Sequence, residues 1–549
     1  MQQRFSISHI LVAAALLALA WFATISTHGL YDPDEGRYAE IPREMAASGD
    51  WITPRLNGIK YFEKPPLQYW ATAAVYSLTG PTVWASRVWV LLTGLAGVFL
   101  TFWLVARLYG QREAIAAAAL QAGALLYAGC SQLNTLDMGF TFTLQIALAG
   151  LACLILARDE SLRQRWGPWL LAIGTTLAFL SKGLAGILIP GAVTVLYIVI
   201  RRDWGLILRA KPWLTLGCLL VLAGPWIWLV TQRNPEFPGF FFVHEHFARF
   251  LTRVHARYEP AWFFLPVLLL GLLPWTPLLP WMGKLWRRPP QGEGNRDAVL
   301  LFSLWAGFVL LFFSASQSKL IPYILPMFPA LSALGALALA QDWMRRARLT
   351  LGSSAVFWGL LALASTIGLF WPQDGALLRE ALGQAASGAV LLLWFLTLVW
   401  GVSAWIAGRG RPLAGLWAAA LGTMVFASRL LWVGEASPPR IEQTTVLNEA
   451  GAHISANTRL FCVDTYVQSA PFQFHRPCQL VRYRGELDFG LTQQPELWIE
   501  DLESFAAQWQ AQADAVAFVS PKTLAQLQQL NLSIGHVISQ PSLVAITRK

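Results

Sequence analysis

The chain has 549 residues, 55% of them hydrophobic and 13% charged. A soluble domain of this length needs far less apolar sequence, so the composition is that of a membrane protein. The net charge of +10 sits in short clusters between apolar segments, which points to membrane topology and anionic lipid rather than to nucleic acid.

The first apolar segment, near residues 8–27, is too long for a removable signal peptide and lacks its small-residue cleavage site, so it reads as a span. A polar stretch follows at 28–81, dense in carboxylates, bases and prolines. Within it, Asp32 and Glu35 read as a capping box with Pro33 at the first helical position. This predicts a helix over residues 33–48 that stops at Gly49. The box gives Asp32 and Glu35 structural tasks and leaves Asp34 without one. Further on, Glu63-Lys64-Pro65-Pro66 sets an acid and a base beside a second helix start. The segment 67–79 is short and closed by Gly80-Pro81, which fits an interfacial helix better than a span.

Beyond it, apolar segments of spanning length fall near 82–106, 114–131, 138–157, 167–181, 184–200, 212–231, 261–283, 297–314, 320–340, 350–371, 388–407 and 412–433. With the first, thirteen spans are expected. Alternate loops then hold Arg4, Arg107, Arg158, Arg201, Lys284, Arg345 and Arg409 with their basic neighbours, and the positive-inside rule makes that side cytoplasmic. Counting 67–79 as a span would reverse every later loop. The opposite, periplasmic side collects the 28–81 loop, Asn134 to Asp137, Lys182, the long 232–260 loop and Lys319.

After residue 435 the composition changes, and apolar runs shorten to strand length at 460–463, 515–519, 535–538 and 542–546, with helices expected at 499–512 and 521–530. This predicts a small soluble α/β domain over 436–549, outside the cytoplasm. Its Cys462 and Cys478 are candidates for a disulfide there, or for two free thiols. The five cysteines show no metal spacing.

Asp137 stands at the entry to a span, where a first-turn carboxylate is favourable for the helix dipole. It also shares a membrane side with Asp34, which makes the two an acid–base or substrate-positioning pair. Lys182 is either a snorkelling base or, with Lys64 and Lys319, one of three lysines on the side where bases are disfavoured, an arrangement that suggests bound anions. In the 232–260 loop Glu245, Arg249 and Arg253 lie on one helical stripe, as a basic amphipathic helix or a phosphate clamp. His244 and His246 alternate along a helix, so a divalent metal between them needs a third ligand such as Glu63.

The polar first loop with its Pro-Asp-Glu core, a second external loop with an aspartate, many spans and an external C-terminal domain resemble the GT-C glycosyltransferases, which use polyprenyl-phosphate sugars. More narrowly, DPDEGRYAEIPREM, Lys64-Pro65-Pro66, Leu180-Ser181-Lys182-Gly183 and Ser318 to Pro326 resemble the lipid A aminoarabinose transferases. The resemblance covers residues 1–435, and the tail matches in position and size only. It implies a GT-C catalytic domain at 1–435 and transfer of 4-amino-4-deoxy-L-arabinose from undecaprenyl phosphate to lipid A phosphates. It further implies resistance to polymyxin and an inner-membrane location. Asp34 and Asp137 become the catalytic acids, and Lys64, Lys182 and Arg249 contacts to the donor phosphate. Tyr323, Lys319, Tyr61 and Glu63 become neighbours of the same cavity. The expected partners are the lipid-linked donor, lipid A and membrane lipids, with the chain acting as a monomer. Two other readings stay open: a protein-directed mannosyltransferase-like enzyme, and a flippase with ionisable groups deep in its spans and repeated halves.

Overall fold

The computed structural model describes residues 15, 17–19, 21–23, 25, 28–248, 259–289, 294–370 and 385–548, at 246–248 by the backbone alone. Most of the expected span at 8–27, and both Arg249 and Arg253, lie outside the described residues, as does the side chain of His246.

The polar first loop forms the helix Asp34–Ser48, closed by Gly49 in the left-handed region at φ 72°, where only glycine avoids a steric penalty. Its start differs from the expected capping box. No side chain caps Pro33, although Glu35 Oε2 does accept the Tyr31 N–H at 3.0 Å. The Asp32 carboxylate turns away instead. It accepts from Ser469 Oγ at 2.8 Å, the Ser469 N–H at 3.2 Å and Gln443 Nε2 at 2.6 Å. Three donors from a distant segment outweigh one local cap. Glu35 is fully buried against Arg87, whose Nε and Nη2 each donate to it at 2.9 Å. Burial alone would push the Glu35 carboxyl up; the Arg87 guanidinium, with His28, overcomes this and holds it below the usual carboxylate range.

Among the described residues eight helices are long and apolar enough to cross a membrane, or nine if the pair Phe264–Gly271 and Thr276–Lys284, bent by 104°, is one span. The other expected spans take shorter forms. The 114–131 segment breaks into Gln111–Ala122 and Leu125–Cys130, while Gly167–Lys182 and Ala185–Arg201 have 16 and 17 residues. The 67–79 segment is the 13-residue helix Leu67–Thr79.

In lipid, helices associate through close backbone approach and buried polar contacts. Both occur here. Gln145 Nε2 donates to the Gly97 carbonyl at 2.9 Å and to Thr101 Oγ1 at 2.7 Å, tying Leu136–Leu156 to Val83–Leu108. Leu136–Leu156 also runs backbone to backbone against Gly167–Lys182: a Cβ on Gly174 would overlap the backbone nitrogen of Ala147. This antiparallel pairing brings the start of one helix, Asp137, to the end of the other, Lys182. Gly174→Leu should therefore prise the pair apart, at a cost of about 1–3 kcal/mol from overpacking. The expected result is a lower thermal midpoint in detergent and loss of transfer; an unchanged midpoint would refute the close-packed seam.

A two-residue hairpin, β1 (Arg55–Leu56) and β2 (Ile59–Lys60), follows the first-loop helix. The C-terminal region carries a six-stranded sheet of β3 (Arg459–Val463), β4 (Gln479–Val481), β5 (Trp498–Ile499), β6 (Ala515–Val519), β7 (Val537–Ser539) and β8 (Val544–Thr547) in the order β5-β4-β3-β6-β8-β7. The first four are parallel, and β8 runs antiparallel to β6 and β7. Alternation along β3 decides the packing. Phe461 and Val463 meet Phe505 and Trp509 of the helix Leu502–Ala511. Leu460 and Cys462 face the first loop, sharing a core with Tyr38, Ile41, Met45, Leu56 and Ile59. The sheet thus buries the first loop from above. Cys462 and Cys478 are both free and buried. Asn57 clasps Cys478 across this joint, donating to its carbonyl at 2.6 Å and accepting its N–H at 2.7 Å.

Candidate active site

The close-packed helix pair presents the first part of the site. Asp137 is buried at 7% exposure in the first turn of Leu136–Leu156, and its Oδ1 contacts Lys182 Nζ in a tight ion pair. The same ammonium lies 4.0 Å from the ring centroid of Tyr323, 5.4 Å from Phe140 and 5.6 Å from Phe313. A carboxylate on one side and aromatic faces around the rest fix a cation without neutralising it fully. Lys319 serves this box indirectly. Its ammonium donates to the carbonyls of Ser316 at 2.6 Å and Glu259 at 2.8 Å, pinning the turn that precedes Tyr323. Burial pushes the Lys319 ammonium down from its ordinary value.

The second part joins two loops. Lys64 Nζ donates to Glu245 Oε2 at 3.2 Å and to the Glu63 carbonyl at 2.7 Å. Glu245 is 6% exposed, so this ion pair fastens the long loop to the first one. His244 Nδ1 lies 3.5 Å from Glu245 Oε1. Among the described residues no group of three His, Cys, Asp or Glu side chains stands close enough to hold a metal.

The third part crosses to the C-terminal sheet region. Asp34 is half-exposed and accepts from Arg37 Nη1 at 2.8 Å. Arg37 is buried, and its other terminal nitrogen makes a tight ion pair with Glu486 of the C-terminal region. Gln468 Nε2 donates to Glu486 at 3.2 Å. Burial pushes the Glu486 carboxyl up, against the pull of Arg37. Around this chain of charges stand buried phenols. The hydroxyls of Tyr61, Tyr69 and Tyr466 and the Nε of Arg37 have no hydrogen-bond partner among the described residues. Buried polar atoms are seldom left so, and several together are groups that a polar ligand or water would satisfy. Tyr38 links the parts, lying within electrostatic reach of Arg37, Asp34, Glu63 and Asp137, and burial pushes its phenol well above the usual range.

The structure therefore brings Asp137, Lys182 and Tyr323 together, joins Lys64 and Glu63 to the long loop, and places Tyr61 beside the Asp34–Arg37 pair. Sequence reading passed over Arg37, Tyr38 and Glu486. Arg37 and Tyr38 had a usable signal, since they follow Asp34 by three and four residues on one helical face. Glu486 had none: its role depends on how the sheet docks.

Residues 63–228 match the family of dolichyl-phosphate-mannose-protein mannosyltransferases, and residues 446–548 match the aminoarabinose transferase C-terminal domain. Helical spans, an acidic first loop and these matches define a polytopic membrane glycosyltransferase of the GT-C class. The fold superposes on ArnT from Cupriavidus metallidurans bound to undecaprenyl phosphate with a TM-score of 0.89, at 31% identity and covering 99% of both chains. The undecaprenyl phosphate-alpha-4-amino-4-deoxy-L-arabinose arabinosyl transferase 2 of Pseudomonas fluorescens (strain Pf0-1) is 30% identical over 87% of this chain and 86% of its own length. The corresponding protein of Pseudomonas aeruginosa (strain LESB58) is 35% identical over a stretch spanning 66% of each chain. This chain belongs to the undecaprenyl phosphate-aminoarabinose arabinosyl transferase family.

Proposed function

We propose that this chain moves 4-amino-4-deoxy-L-arabinose from undecaprenyl phosphate to lipid A phosphates at the periplasmic face of the bacterial inner membrane, which confers resistance to polymyxin and cationic peptides. The observation that carries the reading is the pair of charged clusters, Asp137–Lys182 against Tyr323 and Asp34–Arg37–Glu486, together with the buried hydroxyls of Tyr61, Tyr69 and Tyr466 that have no hydrogen-bond partner among the described residues. As the glycosidic bond breaks, negative charge accumulates on the departing phosphate. Lys182 and Lys64, with Arg249 from the long loop, would stabilise it, and such electrostatic stabilisation is usually the largest catalytic contribution. A lipid A phosphate is already largely ionised near neutral pH, since its second pKa is about 6. Asp34 then has little proton to remove, and its task is to orient the acceptor or hold the sugar's amino group. The phenols and Glu486 suit a small polyhydroxylated ring bearing a cation. The flippase reading asks for ionisable groups deep in the spans, whereas the buried polar groups of the Gln145 network are uncharged.

The test is incubation of the purified protein with undecaprenyl-phosphate aminoarabinose or hexose, against lipid A or a serine-rich peptide. Mass analysis should show aminoarabinose on lipid A alone; modification of the peptide, or use of the hexose, would overturn the reading. The orientation is tested separately. A cysteine replacing the exposed Gln510 should react with an impermeant thiol reagent in spheroplasts, and labelling only after lysis would place the soluble domain in the cytoplasm.

A further inference from the structure

At the end of the spans away from Asp34 and Asp137, residues of the helix Trp343–Phe370 and of the end of Ala385–Gly408, with Arg409, border an open cavity of about 560 Å³. Gly352 and Gly408 are among the residues that line it. Two arginines enter the space. The stem of Arg348 lies against Gly408, with its Cδ 3.1 Å from where a Cβ would stand, and the Arg409 guanidinium sits 4.2 Å from the ring centroid of Trp405. Among the described residues no acidic side chain lines the cavity and neither arginine has a carboxylate partner.

The surroundings decide what such a cavity takes. Trp405 is 57% and Leu349 46% exposed, and above them on the same helical faces Val356, Leu398 and Val402 are exposed too. An exposed apolar face thus continues from the basic cavity along the two spans. A free anion would use only the arginines. A molecule with a phosphate at one end and hydrocarbon at the other fits both, and a tryptophan beside arginines marks the headgroup level of a bilayer.

We propose that this cavity is a binding site for the phosphodiester headgroup of an anionic phospholipid, clamped by Arg348 and Arg409 with its acyl chains along Val356 and Leu398. The site lies at the far end of the spans from the candidate active site, and its occupant is neither donor nor acceptor. Arginine forks match phosphate oxygens, and each basic residue near the membrane surface contributes about a fivefold change in affinity, so loss of both weakens binding roughly twenty-five-fold.

The full-length protein in uncharged detergent is titrated with phosphatidylglycerol, phosphatidylcholine or inorganic phosphate, reading bound lipid by native mass spectrometry and the thermal midpoint in parallel. Phosphatidylglycerol should bind and raise the midpoint of the wild type, and both effects should fall in the Arg348→Gln/Arg409→Gln variant. Arg165 is the control. It also stacks on a tryptophan, 5.6 Å from the Trp166 ring, but lines no part of this cavity, so Arg165→Gln should bind like the wild type. Three results would overturn the site. Equal loss in Arg165→Gln means diffuse attraction to a basic surface, equal binding of phosphatidylcholine means a hydrocarbon groove only, and full stabilisation by inorganic phosphate means an anion site without a lipid.

Discussion

Asp34→Asn should lower transfer roughly a hundred- to a thousandfold, the cost of lost positioning and charge, while leaving the thermal midpoint close to that of the wild type. Its neighbour Glu35→Gln should instead lower the midpoint steeply, with transfer lost because the fold is lost. The two side chains are adjacent in sequence and opposite in setting. Asp34 is half-exposed and, among the described residues, paired with Arg37, and an ion pair whose carboxylate stands in solvent is worth about 0.2–1 kcal/mol. Arg37 keeps Glu486 when Asp34 loses its charge, so nothing buried is orphaned. Glu35 is fully buried, and without its charge the Arg87 guanidinium is stranded in the interior. Breaking a buried pair from one side costs about 3–5 kcal/mol, a large share of a typical total stability. Transfer rate and detergent melting curves on both variants separate the cases. Wild-type transfer by Asp34→Asn would reduce the first loop to a surface helix, and a normal melt of Glu35→Gln would remove the buried lock from the fold.

How far these settings were legible varies with the range of the interaction. The helix Asp34–Ser48 and its stop at Gly49 follow from local residues. So do β3 and β6, whose continuous apolar runs are long enough to stand out. The strands β4 and β5 have three and two residues and leave no periodic signal, and Ile499 of β5 fell inside an expected helix. Asp32 shows the same boundary from the other side. A capping box is a local inference, and the donors that overrode it, Gln443 and Ser469, stand more than 400 residues away. Glu486 enters the site by the same route. Asp137 and Lys182 each stood out as charges beside apolar segments, but their contact depends on glycines at 150 and 174 letting two backbones touch.

That contact also decides what the two residues do separately. Lys182→Ala should reduce kcat/KM for the lipid-linked donor by about a thousandfold, with kcat falling as well as KM rising. Charge on the donor phosphate grows toward the transition state, so a cation that holds it is worth more there than in the ground state. Asp137→Asn should be milder, about ten- to fiftyfold by the same reasoning, because the Tyr323, Phe140 and Phe313 rings still surround the ammonium. If Asp137 acts only by aiming Lys182, the double variant should be no worse than Lys182→Ala alone, since two residues in one unit do not add. A double variant that multiplies the two losses would give Asp137 an independent contact with substrate. Lys182→Arg keeps the charge and changes its shape, so partial recovery would confirm that the ammonium, and not its packing, is what the site needs. Rates measured against donor concentration on the four variants distinguish these outcomes, and an unaltered kcat in Lys182→Ala would mean that the lysine holds the donor without assisting its departure.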